Sequence, residues 1–222
     1  MITVQWSKAP GVTAVIEPPK KQAPGTHLVD IDFEHYATPT DLAEAIVRQA
    51  IVLLGPWNTV VEPSAGGGGF VRACRKLLPA CHLQAVEVRG EEVGQLFLAG
   101  ADDVHLGDWL EYAYGKEWPK HVSLVIGNPP FSLAQKHAQA VLDCYPKGTV
   151  LVFLLRLSFQ AARCRVKFWG QKWLRFEQAL VPRPSFVNNG KTDYSEYGLY
   201  VWGVGYEGPA VKLPPLVWRL ED

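Results

Sequence analysis

Short apolar segments alternate with helix-like segments over residues 59–155, and this alternation is the feature that most constrains the fold. Strands are predicted over residues 59–61, 83–88, 103–106, 122–126 and 149–155, and helices over residues 70–78, 91–99 and 133–145. Because strands that are apolar along their whole length must be buried on both faces, the pattern predicts an α/β fold with a parallel sheet between two layers of helices. Two further β-rich segments, near residues 174–181 and 198–206, are expected to close the chain.

The composition is that of one folded domain. A chain of 222 residues can bury one full-sized core, and 48 % apolar with 20 % charged residues is typical of globular rather than disordered proteins. Residues 1–30 are rich in proline, glycine and lysine and are expected to form an irregular arm. The apolar runs are too short to span a membrane, the first residues lack a signal pattern, and the four cysteines are scattered. These features predict a cytoplasmic protein with no membrane association and no metal site.

Two helices carry N-terminal capping patterns. Thr38 precedes Pro39, which suits the first position of a helix, and an acid follows in the first turn. Ser132 precedes the helix predicted over residues 133–145, with Gln135 three residues after it. Thr38 and Ser132 are therefore expected to be the N-caps of these helices.

Four consecutive glycines, residues 66–69, follow the first of the alternating strands. So much glycine between ordered elements is typical of a backbone that must come close to another group. Two nucleotide-binding motifs are excluded. A phosphate-binding loop needs Gly-Lys-Ser/Thr after its glycines, but Phe70 and Val71 follow them here. A dinucleotide motif needs its third glycine at position 71, which is valine. The glycines alone leave open a tight turn required by packing or a backbone cradle for a different ligand.

Acidic residues follow the next two strands. Glu87 ends the second strand about twenty residues after the glycines, where a carboxylate can accept hydrogen bonds from both hydroxyls of a ribose. Asp108 comes directly after the third strand, where it can accept a hydrogen bond from an adenine amino group. The pair therefore indicates adenosine recognition, whereas either acid alone would also be an ordinary strand-end residue in solvent.

The segment NPPF, residues 128–131, follows the fourth strand. Two prolines restrict the backbone on either side, so that the Asn128 amide is held rigidly at the strand end. A neutral oxygen acceptor on Asn128, the Pro129 carbonyl and the Phe131 ring together suit a planar amine attached to a heterocycle. An ordinary turn after a strand is the alternative for this segment taken by itself.

These segments, in this order and spacing, resemble S-adenosylmethionine-dependent amino-methyltransferases. The resemblance depends on YATP at 36–39, EPSAGGGGF at 62–70, VEV at 86–88, GDW at 107–109 and NPPF at 128–131. The best match is to N6-adenine DNA methyltransferases of restriction–modification systems and phages. It implies a Rossmann-like class I methyltransferase fold with a mostly parallel seven-stranded sheet, formed by residues 1–222 as one domain in a bacterium or a phage-infected host cell.

The resemblance also implies roles for individual residues. The methionine part of S-adenosylmethionine would be lined by Tyr36, Thr38, Glu62, Ser64, Ala65, Gly66 and Gly68. Glu87 would hold the ribose and Asp108 the adenine of this cofactor. The catalytic residues would be Asn128, Pro129, Pro130 and Phe131: the first two would accept hydrogens from the target amine, Asn128 would also border the cofactor, and Phe131 would stack on the target base. The implied reaction is direct methyl transfer from sulfonium to the N6 amine of adenine in DNA, without a metal.

A basic stretch, residues 156–175, contains six cations and no acid. It also contains Phe159, Phe168, Trp169 and Trp173, and cations that bind phosphates beside rings that stack on bases are typical of single-strand binding. Residues 156–197 are therefore predicted to form a helix and loop that face nucleic acid, through Arg156, Arg163, Arg165, Lys167 and Lys191. The alternative is a solvated amphipathic helix whose aromatic rings pack on the sheet.

The expected partner is DNA, either single-stranded or duplex with the target adenine flipped out. About ninety residues follow NPPF, which leaves little room for a recognition domain and predicts relaxed or short-site specificity. The sequence leaves open an RNA base methyltransferase, a protein glutamine methyltransferase and a cofactor-binding regulatory subunit without activity. A monomer and a homodimer are both compatible with the pattern.

Overall fold

The computed structural model describes residues 2–4, 37–115, 121–170, 173–186 and 194–219. Tyr36 and Lys191, two of the predicted site residues, lie outside these ranges. Most of the predicted arm over residues 1–30 also lies outside them, but Ile2–Val4 is described and forms a strand rather than irregular chain.

The described chain contains six α-helices and nine strands. In chain order they are β1 Ile2–Val4, α1 Thr40–Leu54, β2 Thr59–Glu62, α2 Gly69–Leu77, β3 His82–Glu87, α3 Val93–Ala99, β4 Asp103–Leu106, α4 Trp109–Tyr114, β5 Leu124–Gly127, α5 Ala134–Cys144, β6 Val150–Arg156, α6 Val166–Trp169, β7 Leu174–Val181, β8 Tyr197–Gly203 and β9 Val211–Val217. Three short 3₁₀ turns cover Gly90–Glu92, Leu157–Ala161 and Arg163–Arg165.

The strands of the described chain form one sheet in the order β1-β4-β3-β2-β5-β6-β8-β7-β9. Neighbouring strands from β4 to β6 are parallel, and β8 pairs antiparallel with both β6 and β7. The prediction of an α/β, mostly parallel sheet is confirmed. Its count of seven fits the strands from β4 to β7, and β1 and β9 extend the two edges. The β9 sequence contains Pro214 and Pro215, which are tolerated in an edge strand but not in a central one. Because prolines are unusual in strands, the sequence pattern did not predict β9.

The core is divided by the sheet into two apolar layers. On β2, Val60 packs in the layer of α1, α2 and α3, whereas its neighbour Val61 packs in the layer of α4 and α5. The β6 strand repeats this alternation, with Val152 in the first layer and Phe153 in the second. Because successive side chains of a strand point to opposite faces, a strand covered by helices on both sides has to be apolar throughout.

This arrangement brings the carboxyl ends of β2, β3, β4 and β5 to one edge of the sheet. The strand order reverses at β2, whose chain continues to β3 on one side and whose other neighbour is β5. Crevices at such a reversal are the usual ligand sites of parallel α/β sheets. The glycines, Glu87, Asp108 and Asn128 all come directly after these strand ends.

Candidate active site

An open cleft occupies this edge of the sheet. Its empty volume, including the open mouth, is about 860 Å³. The predicted site residues that line it are Thr38, Glu62, Ser64, Ala65, Gly66, Glu87, Asp108, Asn128 and Pro130. Gly68, Pro129 and Phe131 are not among the lining residues. Sequence reasoning had not assigned the other lining residues, which include Gly67, Gly69, Arg72, Arg89, Trp109, Leu133 and His137.

The glycine loop is tied to β3. The Gly66 N–H donates to Glu87 Oε2 at 2.7 Å, and the Ala65 N–H donates to the Val86 carbonyl at 3.0 Å. Gly66 has φ of 50°, in the left-handed region that favours glycine. The loop is therefore a fixed part of the cleft wall whose backbone comes closer to the cavity than a chain with side chains could.

The third and fourth glycines have packing reasons of their own. Gly68 has φ of 77°, and an added Cβ would lie 3.1 Å from Ala99 and 3.2 Å from Leu96 on α3. At Gly69 an added Cβ would lie 2.3 Å from the Thr38 carbonyl oxygen. Gly68 therefore allows the loop to pack on α3 rather than lining the cleft, and Gly69 allows the segment before α1 to cross the start of α2.

The Gly69→Ala variant is expected to lower the free energy of unfolding by about 1–3 kcal/mol, because the new methyl group has to displace backbone. Gly67→Ala is the matched control, since a Cβ at Gly67 meets nothing within 4 Å and φ there is not positive. Urea unfolding followed by circular dichroism measures both. Equal stabilities of the two variants would contradict the close approach at Gly69.

Glu62, at the end of β2, is a buried carboxyl group in the cleft wall. Its side chain is 3 % exposed, and its Oε2 atom has no hydrogen-bond partner among the described residues. Burial, with the neighbouring Glu87 carboxylate as the second cause, raises the pKa of Glu62 well above its ordinary value. A buried carboxyl oxygen without a partner is costly unless a ligand with a donor or positive charge completes it.

Glu87, at the end of β3, is already strongly hydrogen-bonded. Its Oε1 accepts from the Arg89 backbone N–H at 3.0 Å and from Arg89 Nε at 2.9 Å, while Oε2 accepts from Gly66. Hydrogen bonding and charge from Glu87 outweigh partial burial and raise the pKa of Arg89. A carboxylate has about four acceptor positions, so three bonds leave limited capacity for a further hydroxyl.

Asp108 is the N-cap of α4. Its Oδ1 accepts from the backbone N–H groups of Leu110 at 2.7 Å and Glu111 at 3.2 Å. Both bonds end on one oxygen, so the carboxylate is held in a fixed orientation at the cleft wall by its own helix. This capping role was not part of the sequence interpretation, although an aspartate before a helix is a common signal for it.

Thr38 connects three parts of the site and is not a helix cap. The N-cap of α1 is Pro39, with ψ of 138° and no side-chain cap bond, so the capping prediction for Thr38 is wrong. The Thr38 hydroxyl accepts instead from Asn128 Nδ2 at 3.2 Å, and its carbonyl lies over Gly69. The capping prediction for Ser132 is also wrong, because Leu133 is the N-cap of α5, after a turn in which the Leu133 N–H donates to the Pro130 carbonyl.

The NPPF segment separates the cleft from a second, more open cavity. Asn128 and Pro130 line the cleft, Pro129 is buried, and Phe131 lines the second cavity. The second cavity has an empty volume of about 550 Å³ and is lined by Phe131, Ser132, Ala134, Leu155, Arg156, Ser158, Phe159 and Arg165. The Arg156 guanidinium lies 4.7 Å from the centre of the Phe131 ring, within cation–π distance. The wall of this cavity is therefore aromatic and cationic.

The basic stretch differs from its prediction as an aromatic nucleic-acid surface. It forms two 3₁₀ turns, the four-residue α6 and the start of β7 rather than one helix. Phe159 and Phe168 are each 4 % exposed and pack edge-on against Tyr200 and Trp202 of β8. These two rings cannot stack on bases, because they are buried against β8. The packing alternative is confirmed for them.

The four described cations of this stretch that were predicted to bind nucleic acid divide into two groups. Arg163 and Lys167 are exposed, whereas Arg156 and Arg165 are half-buried at the second cavity. Arg165 donates to the Phe159 carbonyl at 2.8 Å, and its guanidinium lies 4.1 Å from the centre of the Phe159 ring. Arg165 is therefore partly structural, and Arg163 and Lys167 are the cations that face solvent.

His137 is the main cleft residue that sequence reasoning missed. It lies on α5, is 3 % exposed, and its Nδ1 atom is 3.4 Å from the Ser64 hydroxyl. Burial lowers the pKa of His137 to about 4 despite the opposing charge of Asp108, so the imidazole is neutral at pH 7. The only sequence signal was its position beside the apolar stripe of α5, which is also that of an ordinary core residue.

Across the described ranges, no group of three or more His, Cys, Asp or Glu side chains is arranged to hold a metal ion. None of the helices there has the length and apolar character that crossing a bilayer requires.

No protein-family model matches the sequence, and no curated protein matches it either. Solved structures do match. A proposed RNA methyltransferase from Pyrococcus horikoshii is 21 % identical, with a TM-score of 0.62 over 78 % of this chain and 88 % of that one. A proposed class I S-adenosylmethionine-dependent methyltransferase from Listeria monocytogenes is 14 % identical, with a TM-score of 0.60 over 83 % and 67 %. The M protein of the type I restriction enzyme EcoKI is 15 % identical, with a TM-score of 0.56 over 77 % and 44 %.

These similarities concern the fold, since the identities are low. The chain has the Rossmann-like fold of class I methyltransferases.

Proposed function

We propose that this protein transfers a methyl group from S-adenosylmethionine to the N6 amino group of adenine in DNA. The observation that carries the proposal is the position of the NPPF segment between two cavities. The acidic cleft on one side suits the cofactor, and the more open, cationic cavity on the other suits a nucleotide. Asn128 and Pro130 face the first and Phe131 the second, so one rigid turn borders both reactants.

The residues of the cleft fit S-adenosylmethionine. Glu62 offers a buried carboxyl oxygen that a methionine ammonium would complete, and the glycine loop offers a wall without Cβ atoms at residues 66, 67 and 69. Glu87 and Asp108 offer acceptors for the ribose and the adenine amine. When bound, this cofactor supplies a methyl group on a positively charged sulfur. Gly68 supports the loop from behind, and Tyr36 is proposed at the methionine end from the sequence alone.

Asn128 is the residue proposed to orient the target amine. Its Nδ2 donates to Thr38, which fixes the carboxamide plane and assigns the acceptor role to the amide oxygen. Together with the Pro129 carbonyl, this oxygen would accept the amine hydrogens and direct the nitrogen lone pair into the cleft. An amine proton becomes acidic only as the new bond forms, so the proposed reaction requires no metal and no strong general base.

The target base would have to leave its helix to reach this turn. Base flipping costs a few kcal/mol in a duplex and much less in single-stranded DNA. The second cavity is proposed to receive the base, with Phe131 as the stacking surface and Arg156 and Arg165 at its wall. Arg163, Lys167 and Lys191 are proposed to bind neighbouring phosphates, with relaxed or short-site specificity and a monomeric or homodimeric enzyme.

The deciding experiment incubates the protein with methyl-labelled S-adenosylmethionine and separate pools of duplex DNA, single-stranded DNA, RNA and protein. Label recovered as N6-methyladenine in DNA supports the proposal. Label only in RNA would favour an RNA base methyltransferase, and label only in protein glutamine would favour a protein methyltransferase. No label in any pool, with the cofactor bound, would favour a regulatory subunit.

The Asn128→Ala variant is expected to lower turnover by about 10²-fold or more, because it removes an acceptor that acts on the reacting amine. Its affinity for S-adenosylhomocysteine should stay within about threefold of wild type, as it removes little cofactor contact. Gln139→Ala is the matched control, since the Gln139 amide bonds Asp143 on the outer surface of α5. Full activity of the Asn128 variant would refute the assignment.

Binding of S-adenosylhomocysteine is expected to release a proton at pH values that lie below the raised pKa of Glu62 in the free protein and above its pKa in the complex. Burial and Glu87 raise the pKa of Glu62 in the free protein, and a ligand ammonium would lower it again by stabilising the carboxylate. Titration calorimetry in two buffers with different ionisation enthalpies measures the release. The release should disappear in Glu62→Gln and persist in the control Glu44→Gln, whose carboxylate pairs with Lys76 on the protein surface. The same release in Glu62→Gln and wild type would exclude Glu62 as its source.

Neutralising Arg163 and Lys167 together is expected to reduce the magnitude of the slope of log affinity against log salt concentration by about 1.4, because two phosphate contacts are lost and each contributes about 0.7 on a single strand. Binding of a fluorescent single-stranded oligonucleotide at several salt concentrations measures the slope. Arg48→Gln is the control, because Arg48 is exposed on α1, in the opposite helix layer. An unchanged slope would mean that the face is only solvated.

A further inference from the structure

The His137 ring holds a polar atom that the described protein does not satisfy. His137 lines the cleft and is 3 % exposed, and its Nε2 atom is buried without a hydrogen-bond partner among the described residues. Leaving a buried donor or acceptor without a hydrogen bond costs about 1–3 kcal/mol. A leucine would fill this place on α5 without that cost, so the nitrogen calls for a functional explanation.

The surroundings of the ring determine which hydrogen bond Nε2 can make. Nδ1 faces the Ser64 hydroxyl at 3.4 Å, and the Trp109 indole lies with its centre 6.3 Å from the imidazole. A neutral imidazole has one N–H and one acceptor nitrogen. If the Ser64 hydroxyl donates to Nδ1, the hydrogen of the ring is on Nε2, which is then a donor.

The position of His137 matches the adenine end of the proposed cofactor. Asp108, assigned to the adenine amine, lines the same cleft as His137, and Trp109, whose ring lies 6.3 Å from the imidazole, follows it at the start of α4. Adenine presents an amino group as donor and ring nitrogens N1, N3 and N7 as acceptors. A carboxylate acceptor and an imidazole donor on adjoining walls complement this pattern, whereas a 6-oxopurine would place an acceptor against the carboxylate.

We infer that His137 is a positioning residue of the cofactor site, whose Nε2–H donates to a ring nitrogen of the cofactor adenine. The inference rests on the proposed function, since it requires an adenosyl cofactor in the cleft. Ser64 then has a second role, because its hydroxyl selects the tautomer of His137. The imidazole contributes to binding and selects a 6-aminopurine, and it takes no part in the methyl transfer.

The test measures binding of S-adenosylhomocysteine to wild type, His137→Leu and His137→Gln by titration calorimetry. His137→Leu is expected to bind roughly five- to tenfold more weakly, as for the loss of one buried neutral hydrogen bond. His137→Gln retains an N–H donor and should recover part of this loss. His82→Gln is the control, because His82 lies at the opposite end of β3 and pairs with Asp103 at the surface. Thermal unfolding without ligand confirms that each variant folds.

Three further ligands identify the hydrogen bond itself: the 1-deaza, 3-deaza and 7-deaza analogues of S-adenosylhomocysteine. In wild type, one of them should lose roughly five- to tenfold in affinity, and in His137→Leu that same analogue should bind as well as the natural ligand. If both variants lose affinity equally and every analogue ratio is unchanged, His137 only shapes the wall and the inference fails. Unchanged affinity in His137→Leu also refutes it and leaves the proposed function intact, whereas a wild type that binds no S-adenosylhomocysteine refutes the proposed function.

Discussion

The hydrogen bond from the Gly66 N–H to the Glu87 carboxylate, 2.7 Å long, is the interaction on which the cleft depends. It joins the glycine loop after β2 to the end of β3, and it does so beside the buried Glu62 carboxyl group. Two buried acids at adjacent strand ends repel each other when both are ionised, and Arg89 stabilises only Glu87. Burial and the Glu87 carboxylate raise the pKa of Glu62, so Glu62 is the group whose pKa a bound cationic ligand would lower.

Thr38 extends this constraint to the rest of the site. Its carbonyl packs where only a glycine at residue 69 leaves room, and its hydroxyl accepts from Asn128. Thr38 therefore connects the glycine loop to the NPPF turn and fixes the distance between them. As a helix cap, the Thr38 hydroxyl would have accepted a hydrogen bond from the backbone of α1. It bonds Asn128 instead, and α1 has no side-chain cap.

Much of the fold could be predicted, because β2, β3, β5 and β6 contain short apolar runs and the strand ends carry the polar residues. The strand-end acids and Asn128 were found for the same reason. The errors have a common cause: a capping pattern at Thr38 and an aromatic ring at Phe159 describe what a residue can do locally, whereas tertiary neighbours decide what it does. His137 gave no such signal, since its partners come from loops distant in the sequence.

In the described structure, the aromatic rings near the second cavity contact arginine side chains. The Arg165 guanidinium lies over the Phe159 ring and donates a hydrogen bond to the Phe159 carbonyl. The Arg156 guanidinium lies over the Phe131 ring. A guanidinium that already lies against a ring has less rotational freedom to lose on binding a phosphate or a base edge than a guanidinium in solvent has. Because Arg156 lies over the Phe131 ring, a base that stacks on that side of Phe131 has to replace the cation–π contact. If the proposed function holds, entry of a base on that side of Phe131 and movement of Arg156 would be coupled, and the affinity of the second cavity for a base would be the difference between two stacking interactions.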